Sequence, residues 1–572
     1  MPDLDVPVGA PPRTLQGIGV GPGLAAGPVA RMASPPALPD RRPVLPNQPA
    51  PTDLPGTDPD RELAAAVRAL EATEADLRAR ADAATGEARD ILAAQAMIAA
   101  DPTLRDGVAE CVRSGEDAPH ALRTTFDRHR EILAALGGYL GERAADLDDI
   151  AHRAIAAALG RPMPGLPAPG HPFVLVADDL APADTVGLDP ETVLALVTER
   201  GGPTSHTAIL ARALGLPAVV GCAGILDVPD GTLVTVDGTG GGVRAGVGDE
   251  EAAEVRARAD DERARLAAGR GPGRTADGHS VDLMVNIGSA ADLRGADLDG
   301  VTGVGLFRTE FLFLDRRDAP GLDEQVAAYA EVFALFPEGT VVVRTLDAGA
   351  DKPLPFLGLP EEPNPALGVR GLRVARDQPH IMETQLEAIA RAAECTTTDV
   401  WVMAPMVSTP VEAEDFVTRA RAYGLRTAGV MVEVPAAALR AERLLEVADF
   451  LSIGTNDLSQ YTLAADRQSG ALADLLDPWQ PALLQLIAAC AAAGGRGGRP
   501  VGVCGEAAAD PALAPVLVGL GVTKLSMSPR SVPAVRARLA AHKRAECEEL
   551  ARLALDAADA AAARAAVLSA NP

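Results

Sequence analysis

One histidine, His206, follows a glycine-rich turn in the sequence GGPTSHT. The apolar run at 193–197 predicts a buried strand before the turn, and the segment at 216–221 predicts a second strand after an amphipathic helix. His206 would then lie at the N-terminus of that helix, where free backbone N–H groups and the helix dipole favour an anion. A lone histidine at a helix start is usually a surface residue or a cap, but an imidazole held there can also accept a phosphoryl group.

Two carboxylates and three arginines follow apolar runs in the C-terminal half. Glu433 lies near the end of the run GVMVEV, and Asp457 follows the run FLSIG. Two carboxylates with no histidine or cysteine beside them suit a hard cation, Mg²⁺ above all, although each could instead cap a loop or pair with an arginine. Arg308, Arg344 and Arg467 lie on or just after strand ends, and arginine forks bind carboxylate and phosphate groups. The set indicates a small anionic substrate that carries both groups.

A cysteine, Cys504, ends the apolar run PVGVC. A cysteine at such a place is most often a small buried residue. Near arginines and a metal, however, a thiol can exchange a proton, because its ordinary pKa of about 8.5 is tunable. Both interpretations remain open on the residue pattern alone.

The elements that would position these residues repeat eight times after Val281. Short apolar runs alternate with helical patterns such as DEQVAAYAEVFALF, which is typical of a (β/α)8 TIM barrel. The chemistry-bearing residues fall at the C-terminal ends of the runs, where barrel active sites form. The runs are VDLMV at 281, GVGLF at 303, VVVRT at 341, VWVMA at 400, GVMVEV at 429, FLSIG at 450, PVGVC at 500 and VTKLS at 522.

The N-terminal half has a different rhythm. The segment LQGIGVGPGLAAGPV predicts a strand and a glycine-rich turn, and residues 34–60 carry nine prolines without periodicity. Helical patterns run from about 61 to 159, and strand patterns resume at 172–243. The simplest topology joins the first strand to the later ones, with an all-α unit inserted between them. The charged stretch 248–268 predicts a spacer helix, and the glycines after it suggest a hinge.

Composition limits the classes of partner. The formal charge of −27 argues against nucleic acid and against an anionic membrane surface. The six cysteines are widely spread and form no CxxC pair, so they indicate neither a zinc site nor a disulfide framework. No apolar run reaches the roughly 18 residues of a membrane span, and the N-terminus lacks a signal-peptide core. A cytoplasmic enzyme without membrane insertion is the default expectation.

Several motifs carry a resemblance to a known family. The string GGPTSHTAILARALGLPAVVG resembles the phosphohistidine domain shared by enzyme I of the phosphoenolpyruvate-dependent sugar phosphotransferase system, pyruvate phosphate dikinase and phosphoenolpyruvate synthase. The strings GLFRTEFLF, RTLDAGADKP, NPALGVRG, MVEVPAA, SIGTNDLSQYTLAADR and GVCGE resemble the phosphoenolpyruvate-binding barrel of enzyme I. The order of domains also matches enzyme I, including a helical insertion that in that family docks the phosphocarrier protein HPr.

The resemblance implies a role for each matching residue. His206 takes the phosphoryl group, Thr185 orients it, and Cys504 gives a proton to the methylene carbon. Glu433 and Asp457 bind Mg²⁺, the expected cofactor. The expected partners are phosphoenolpyruvate, HPr and a second copy of the chain, joined through the barrel. The residues implied in substrate binding are Arg308, Arg344, Lys352, Asn456, Asp457 and Arg467.

The predicted fold class is therefore a multidomain α/β chain. It comprises a swivelling phosphohistidine α/β domain, an inserted all-α domain and a C-terminal (β/α)8 TIM barrel. The expected segments are 14–33 with 171–247 (phosphohistidine domain), 34–60 (Pro-rich loop), 61–160 (helical insertion that docks HPr), 248–271 (linker helix and hinge), 272–545 (phosphoenolpyruvate-binding barrel) and 546–572 (helical tail).

Two departures and three alternatives accompany this interpretation. Pro203 stands where the family usually has arginine, and Gln95 stands where many members have histidine. One alternative is a relative of the dikinases or synthases, but those need a large nucleotide-binding domain, and no P-loop is visible. A regulatory phosphorelay paralogue is the second alternative. A non-catalytic scaffold is the third, and it would leave the arginine, carboxylate and cysteine set without a purpose.

Overall fold

The computed structural model describes residues 12–21, 23–32, 38–39, 58–83, 92, 95–136, 144–161, 166–167, 169–180, 188–202, 207–208, 211, 214–314, 316, 318–349, 354–360, 362–466, 472 and 474–570. The chain divides into two compact units, Met1–Asp260 and Asp261–Pro572. None of the helices within these described ranges combines the length and the apolar content required to cross a bilayer.

The first unit contains a mixed sheet of eight strands in the order β1-β8-β7-β3-β4-β5-β6-β2. Strands β3 to β6 pair in parallel, whereas β1, β2, β7 and β8 are antiparallel to their neighbours. The strands are β1 (Arg13–Gln16), β2 (Ile18–Gly21), β3 (Leu24–Arg31), β4 (Phe173–Ala177), β5 (Val193–Thr198), β6 (Ala218–Val220), β7 (Leu233–Asp237) and β8 (Gly242–Ala245).

The N-terminal segment forms three strands, not the one strand and glycine-rich turn expected from the sequence. In this segment the glycines allow neighbouring strands to approach each other closely. A Cβ on Gly21 would overlap the carbonyl oxygen of Leu216, and a Cβ on Gly19 would lie 2.5 Å from that of Gly238. Because β2 can therefore pack directly against its neighbours, what looked like a turn is a strand paired with β6.

Helices occupy the chain between β3 and β4. They share a core of small and branched apolar side chains that includes Leu70, Leu104, Leu122 and Ile150. Since Val29 of β3 pairs with Val174 of β4, the chain returns to the same sheet after these helices. The helices of this unit are α1 (Pro59–Ala83), α2 (Pro102–Arg113), α3 (Ala118–Leu136), α4 (Ala144–Ala158) and α5 (Asp249–Ala268), the last of which extends past Asp260.

The second unit is built on a closed barrel of eight parallel strands, in the order β10 to β16 followed by β9. Each apolar run expected to be a barrel strand is one, which confirms the predicted fold class. The strands are β9 (Asp282–Ile287), β10 (Gly303–Arg308), β11 (Thr340–Arg344), β12 (Asp399–Ala404), β13 (Thr427–Val432), β14 (Leu451–Gly454), β15 (Val501–Cys504) and β16 (Lys524–Met527).

Helices cover the outside of this barrel, and their apolar faces and the outward-facing strand residues form one large core. A smaller cluster fills the barrel interior with Met284, Val342, Met403, Met431 and Phe450. The helices are α6 (Leu322–Phe333), α7 (Val374–Asp377), α8 (Pro379–Glu394), α9 (Pro410–Ala422), α10 (Pro435–Leu439), α11 (Ala441–Leu444), α12 (Thr455–Leu463), α13 (Pro481–Gly497), α14 (Glu506–Ala509), α15 (Ala514–Gly519), α16 (Val532–Ala540), α17 (Arg544–Leu555) and α18 (Ala560–Ala570).

Candidate active site

The C-terminal ends of the barrel strands bring together most of the predicted residues that the structure describes. Arg308 and Arg344 are the last residues of the adjacent strands β10 and β11. Glu433 directly follows β13, and Cys504 ends β15. Asn456 and Asp457 lie in the first turn of α12, after β14. We call this end of the barrel the mouth.

Arg344 is the centre of an ion-pair network at the mouth. Its Nη2 donates to Glu310 Oε1 at 2.9 Å, and its Nη1 lies 3.2 Å from Asp347 Oδ2 and 3.6 Å from Glu433 Oε1. Burial alone would lower its pKa, but the three carboxylates outweigh burial and raise the pKa above its ordinary value. Arg344 is thus a fixed cation, held in one orientation by the carboxylates around it.

A second buried arginine, Arg370, was not singled out from the sequence. Its guanidinium forms a bidentate pair with Asp347, with both contacts at 2.9 Å. It also donates to both carboxylate oxygens of Asp457, at 3.0 Å and 3.3 Å. Arg370 lies in the loop motif NPALGVRG rather than at a strand end, so the strand-end rule could not find it. The signal available in the sequence was the glycine that follows it in this motif, Gly371, which the structure shows in a left-handed conformation (φ 58°).

Glu433 is a buried carboxylate whose charge is poorly compensated. It accepts a hydrogen bond of 2.8 Å from the backbone N–H of Met406, which is held in a left-handed conformation at φ 57°. Burial and repulsion from Asp347 and Asp457 exceed the attraction of the two buried arginines, and together they raise the pKa of Glu433 to about 7. Such a carboxylate gains from a cation placed beside it.

The carboxylates suit a hard cation that completes its coordination with other oxygen atoms. Glu433 directly follows β13, and Asp457 lies in the first turn of α12 after the neighbouring strand β14. Within the described part of the chain, no group of three or more His, Cys, Asp or Glu side chains could hold a metal ion alone. Mg²⁺ is commonly bound by one or two carboxylates plus substrate and water oxygens, and this donor set fits that pattern.

Cys504 is a buried thiol at the floor of the mouth, with 2% of its surface exposed. Its Sγ donates to the carbonyl oxygen of Ile453 at 3.4 Å and accepts from the hydroxyl of Ser452 at 3.5 Å. Burial raises the pKa of the Cys504 thiol to about 11, against the opposing effect of the Ser452 hydrogen bond. The thiol therefore keeps its proton at neutral pH, as a proton donor must.

The turn after Cys504 connects the thiol to α12. Thr455 Oγ1 donates to the carbonyl oxygen of Cys504 at 3.2 Å, and Asn456 Oδ1 accepts from the N–H of Glu506 at 3.3 Å. Gly505 adopts φ 99°, which favours glycine, and a Cβ there would lie 2.8 Å from Thr455 Oγ1. The sequence GVCGE thus holds the start of α12, with Asn456, against the turn that follows the thiol.

Arg308 differs from the two buried arginines. Its side chain is exposed, and its guanidinium lies 5.2 Å from the centre of the Phe311 ring. No described carboxylate pairs with Arg308 within 4.0 Å, so its charge is available at the mouth.

Several predicted residues lie outside the described residues: Thr185, Pro203, His206, Lys352 and Arg467. The neighbourhood of His206 is partly described. Strand β5 ends at Thr198, Gly201 adopts φ 100°, and buried Thr207 donates to Asp179 Oδ1 at 3.2 Å. Gln95, in the helical segment, is described and is fully buried, so it presents no surface to a docking partner.

Three family models match successive parts of the chain. They are the N-terminal domain of PEP-utilising enzymes at residues 16–143, their mobile domain at 169–241, and their PEP-binding domain at 264–544. The last range contains every residue of the mouth.

Individual proteins are similar over most of the chain. A phosphoenolpyruvate-protein phosphotransferase of Streptomyces coelicolor is 52% identical over 97% of this chain and 99% of its own length. One of Haloferax volcanii is 44% identical over 80% of this chain and 82% of its own. An NMR structure of enzyme I (nEIt) is 30% identical, covers 44% of this chain and 99% of its own, and has a TM-score of 0.36.

Proposed function

The chain belongs to the phosphoenolpyruvate-protein phosphotransferase family, and we propose that it catalyses the reaction for which this family is named. The phosphoryl group of phosphoenolpyruvate passes to His206 and then to a histidine of the phosphocarrier HPr, with release of pyruvate. The close relatives match nearly the whole chain. They therefore favour this reaction over that of a dikinase or synthase.

One observation carries the proposal for the barrel: the mouth combines fixed cations with an under-compensated carboxylate and a protonated thiol. Phosphoryl transfer depends on positioning and on charge stabilisation more than on covalent activation of the donor. Arg344 and exposed Arg308 supply positive charge for the phosphate and carboxylate of the substrate. We assign Asn456, Asp457, Arg467 and Lys352 to the same binding site.

Glu433 and Asp457 are the residues that would hold Mg²⁺. Bound there, the cation would neutralise charge on the substrate oxygens. The raised pKa of Glu433 supports this assignment, because a neighbouring cation offsets both the desolvation of the buried carboxylate and its repulsion from Asp347 and Asp457.

Cys504 is the proposed proton donor. Cleavage of the P–O bond leaves the enolate of pyruvate, which becomes pyruvate when its methylene carbon takes a proton. The thiol is buried among Met284, Met403 and Met431, and it is protonated at neutral pH. The acceptor, His206, must be unprotonated at its attacking nitrogen, and we assign Thr185 to hold it in that orientation.

The proposed division of labour follows the six segments expected from the sequence. The domain at 14–33 and 171–247 would carry phosphate between the barrel and HPr, which would dock on the helical insertion at 61–160. We further propose that the protein acts in the cytoplasm as a homodimer joined through the barrel. If the chain is cut near Gly248, the fragment 1–247 should accept phosphate from phospho-HPr. It should accept none from phosphoenolpyruvate, and direct labelling by that donor would contradict this division.

Intact mass spectrometry after addition of phosphoenolpyruvate and Mg²⁺ tests the central reaction. The wild type should gain one acid-labile phosphoryl group. His206→Ala should gain none while still binding phosphoenolpyruvate, and His380→Ala, which removes an exposed histidine of the barrel unit, should behave as the wild type. Normal labelling of His206→Ala would contradict the assignment of His206 as the phosphorylated residue.

A further inference from the structure

A cavity opens at the end of the barrel opposite the mouth. The space within it that can hold water is about 20 Å³, on the order of one water molecule, and its wall includes Trp401, Phe450, Gly502 and Lys524. Trp401, Gly502 and Lys524 are partly exposed, so solvent reaches into the barrel as far as Gly502. Gly502 is two residues before Cys504 on the same strand, β15. The cavity therefore brings water close to the underside of the proposed proton donor.

Ser452 separates this cavity from the thiol. The residue lines the cavity, is 6% exposed, and donates its hydroxyl hydrogen to Cys504 Sγ at 3.5 Å. The register of β14 and β15 sets this arrangement, because Ser452 pairs with Gly502 and Gly454 pairs with Cys504. A side chain at position 502 would fill the space beside Ser452. Because residue 502 is glycine, the Ser452 hydroxyl stays within reach of the cavity.

The proposed reaction creates a need that this arrangement can meet. Each turnover removes a proton from Cys504, and the thiolate must regain one before the next. Only 2% of Cys504 is exposed, and the mouth above it is where the substrate would lie. A proton source below the thiol avoids admitting water to the enolate from the substrate side.

We propose that Ser452 relays protons to Cys504 from water in the cavity at the far end of the barrel. The inference rests on the proposed role of Cys504. The S–H bond breaks as the C–H bond of pyruvate forms, which leaves a thiolate. The Ser452 hydroxyl then gives its proton to the sulfur, while a cavity water gives a proton to the serine oxygen. The hydroxide left behind is neutralised by the bulk solvent. Ser452 is in this sense a positioning residue, since it acts on the substrate only through Cys504.

Two variants interrupt the path at different points. Ser452→Ala removes the relaying hydroxyl. Gly502→Val narrows the cavity two residues before the thiol. Gly502 does not have a positive φ, and an added Cβ would lie 3.6 Å from Lys524 O but 3.3 Å from Lys524 Cβ, so the Lys524 side chain must shift slightly. Ser526→Ala is the matched control: Ser526 lines the same cavity, but its hydroxyl donates to Asn286 Oδ1 at 2.5 Å.

The test follows pyruvate release by the full-length protein with excess phosphoenolpyruvate, Mg²⁺ and HPr, from the first turnover into the steady state. The first turnover of Gly502→Val should match that of the wild type, because Cys504 starts with its proton. The first turnover of Ser452→Ala should slow less than its later turnovers, because it loses only the hydrogen bond that stabilises the thiolate. Later turnovers should be about tenfold slower than in the wild type, a smaller loss than removal of a direct proton donor causes. Ser526→Ala should follow the wild type throughout.

Three outcomes decide against the relay or its premise. Wild-type steady-state rates in both path variants would overturn it, as would an equal slowing of first and later turnovers, which indicates a structural role. The variant Cys504→Ala distinguishes a failure of the proposed role of Cys504 from a failure of the relay through Ser452. If this variant turns over normally, the proposed role of the thiol fails. If it is inactive while both path variants are normal, only the relay fails.

Discussion

Two fully buried arginines, Arg153 in the helical segment and Arg370 in the barrel, form similar ion pairs with aspartates but differ in the charge balance of the carboxylates around them. Both side chains have no exposed surface, and each holds two aspartates. Arg153 donates to Asp149 on its own helix α4 at 2.9 Å and to Asp76 on α1 at 3.3 Å. By sequence and burial alone, neither arginine is marked as the functional one.

The difference lies in the carboxylates. Asp76 is 31% exposed and also pairs with Arg80 at 3.1 Å, so water and a second arginine share its charge. Asp457 is buried, and together with Asp347 it repels Glu433 and helps to raise the pKa of Glu433 to about 7. The network around Arg153 joins helices, whereas the network around Arg370 leaves a neighbouring carboxylate in need of a cation. A poorly compensated neighbour, rather than a buried arginine, distinguishes the candidate site.

The largest expected effect is on stability, in the helical segment. Arg153→Met leaves Asp149 without its buried partner, and breaking such a pair typically costs about 3–5 kcal/mol in the free energy of unfolding. Urea unfolding and hydrogen exchange in α1 and α4 measure the loss. Arg78→Met is the control, because Arg78 pairs with Glu74 at 2.7 Å on the same helix α1 but is 63% exposed, and it should cost less than about 1 kcal/mol. Equal losses in the free energy of unfolding for Arg153→Met and Arg78→Met would contradict the structural role of the buried network around Arg153.

The next effect is on activity, at the mouth. Glu433→Gln keeps the shape of the side chain but removes the charge that would hold Mg²⁺, and kcat/KM should fall by roughly 10²–10³-fold. Isothermal titration of Mg²⁺ in the presence of phosphoenolpyruvate should show weakened binding. Glu442→Gln on α11 is the control, because Glu442 is 69% exposed and pairs only loosely with Arg496 at 3.6 Å. Unchanged Mg²⁺ binding in Glu433→Gln would place the cation elsewhere.

Arg370→Lys should lower kcat/KM by roughly 10–100-fold, as loss of a residue that orients a metal ligand does. Lysine keeps the charge but lacks the fork that contacts Asp347 and Asp457 together. The same substitution at Arg153 should leave kcat/KM unchanged at temperatures where the variant is folded. If Arg153→Lys lowered kcat/KM as much as Arg370→Lys, the two networks would not differ in the way described.

The sequence predicted the barrel well, because strands buried on both faces appear as short apolar runs that end in polar residues. That pattern located Arg344, Glu433, Asp457 and Cys504 without coordinates. It could not find Arg370, which reaches the mouth from a loop between strands.

The pattern also could not find the contact between Ser452 and Cys504. Ser452 appears as one residue of an apolar run, and only the register of β14 against β15 brings its hydroxyl to the sulfur. In the N-terminal unit, close backbone approach was mistaken for a turn, because glycine serves both purposes and a sequence does not distinguish them.

The smallest expected effect is local to the helical segment and concerns the residue that caps the start of α2. Asp101 caps α2 and accepts from the backbone N–H of Thr103 at 2.7 Å and from its hydroxyl at 2.8 Å. These two bonds, the backbone bond first, lower the pKa of Asp101. Asp101→Ala should cost about 1 kcal/mol in the free energy of unfolding at pH 7.

The pH dependence of this cap has a definite sign and a matched control. Because the folded-state pKa of Asp101 is depressed, the ionic part of its stabilisation is present above the ordinary carboxyl pKa of about 4 and is lost as pH falls through the lower folded-state value. Asp101→Asn keeps a capping oxygen without a charge, so its advantage over Asp101→Ala should not change with pH. The wild type's advantage over Asp101→Asn should shrink as the pH is lowered, measured by hydrogen exchange of the α2 amides. An advantage that stayed constant across that range would mean that geometry, rather than the carboxylate charge, stabilises the start of this helix. The cap would then differ from the mouth, where the charge on Glu433 is what Mg²⁺ binding requires.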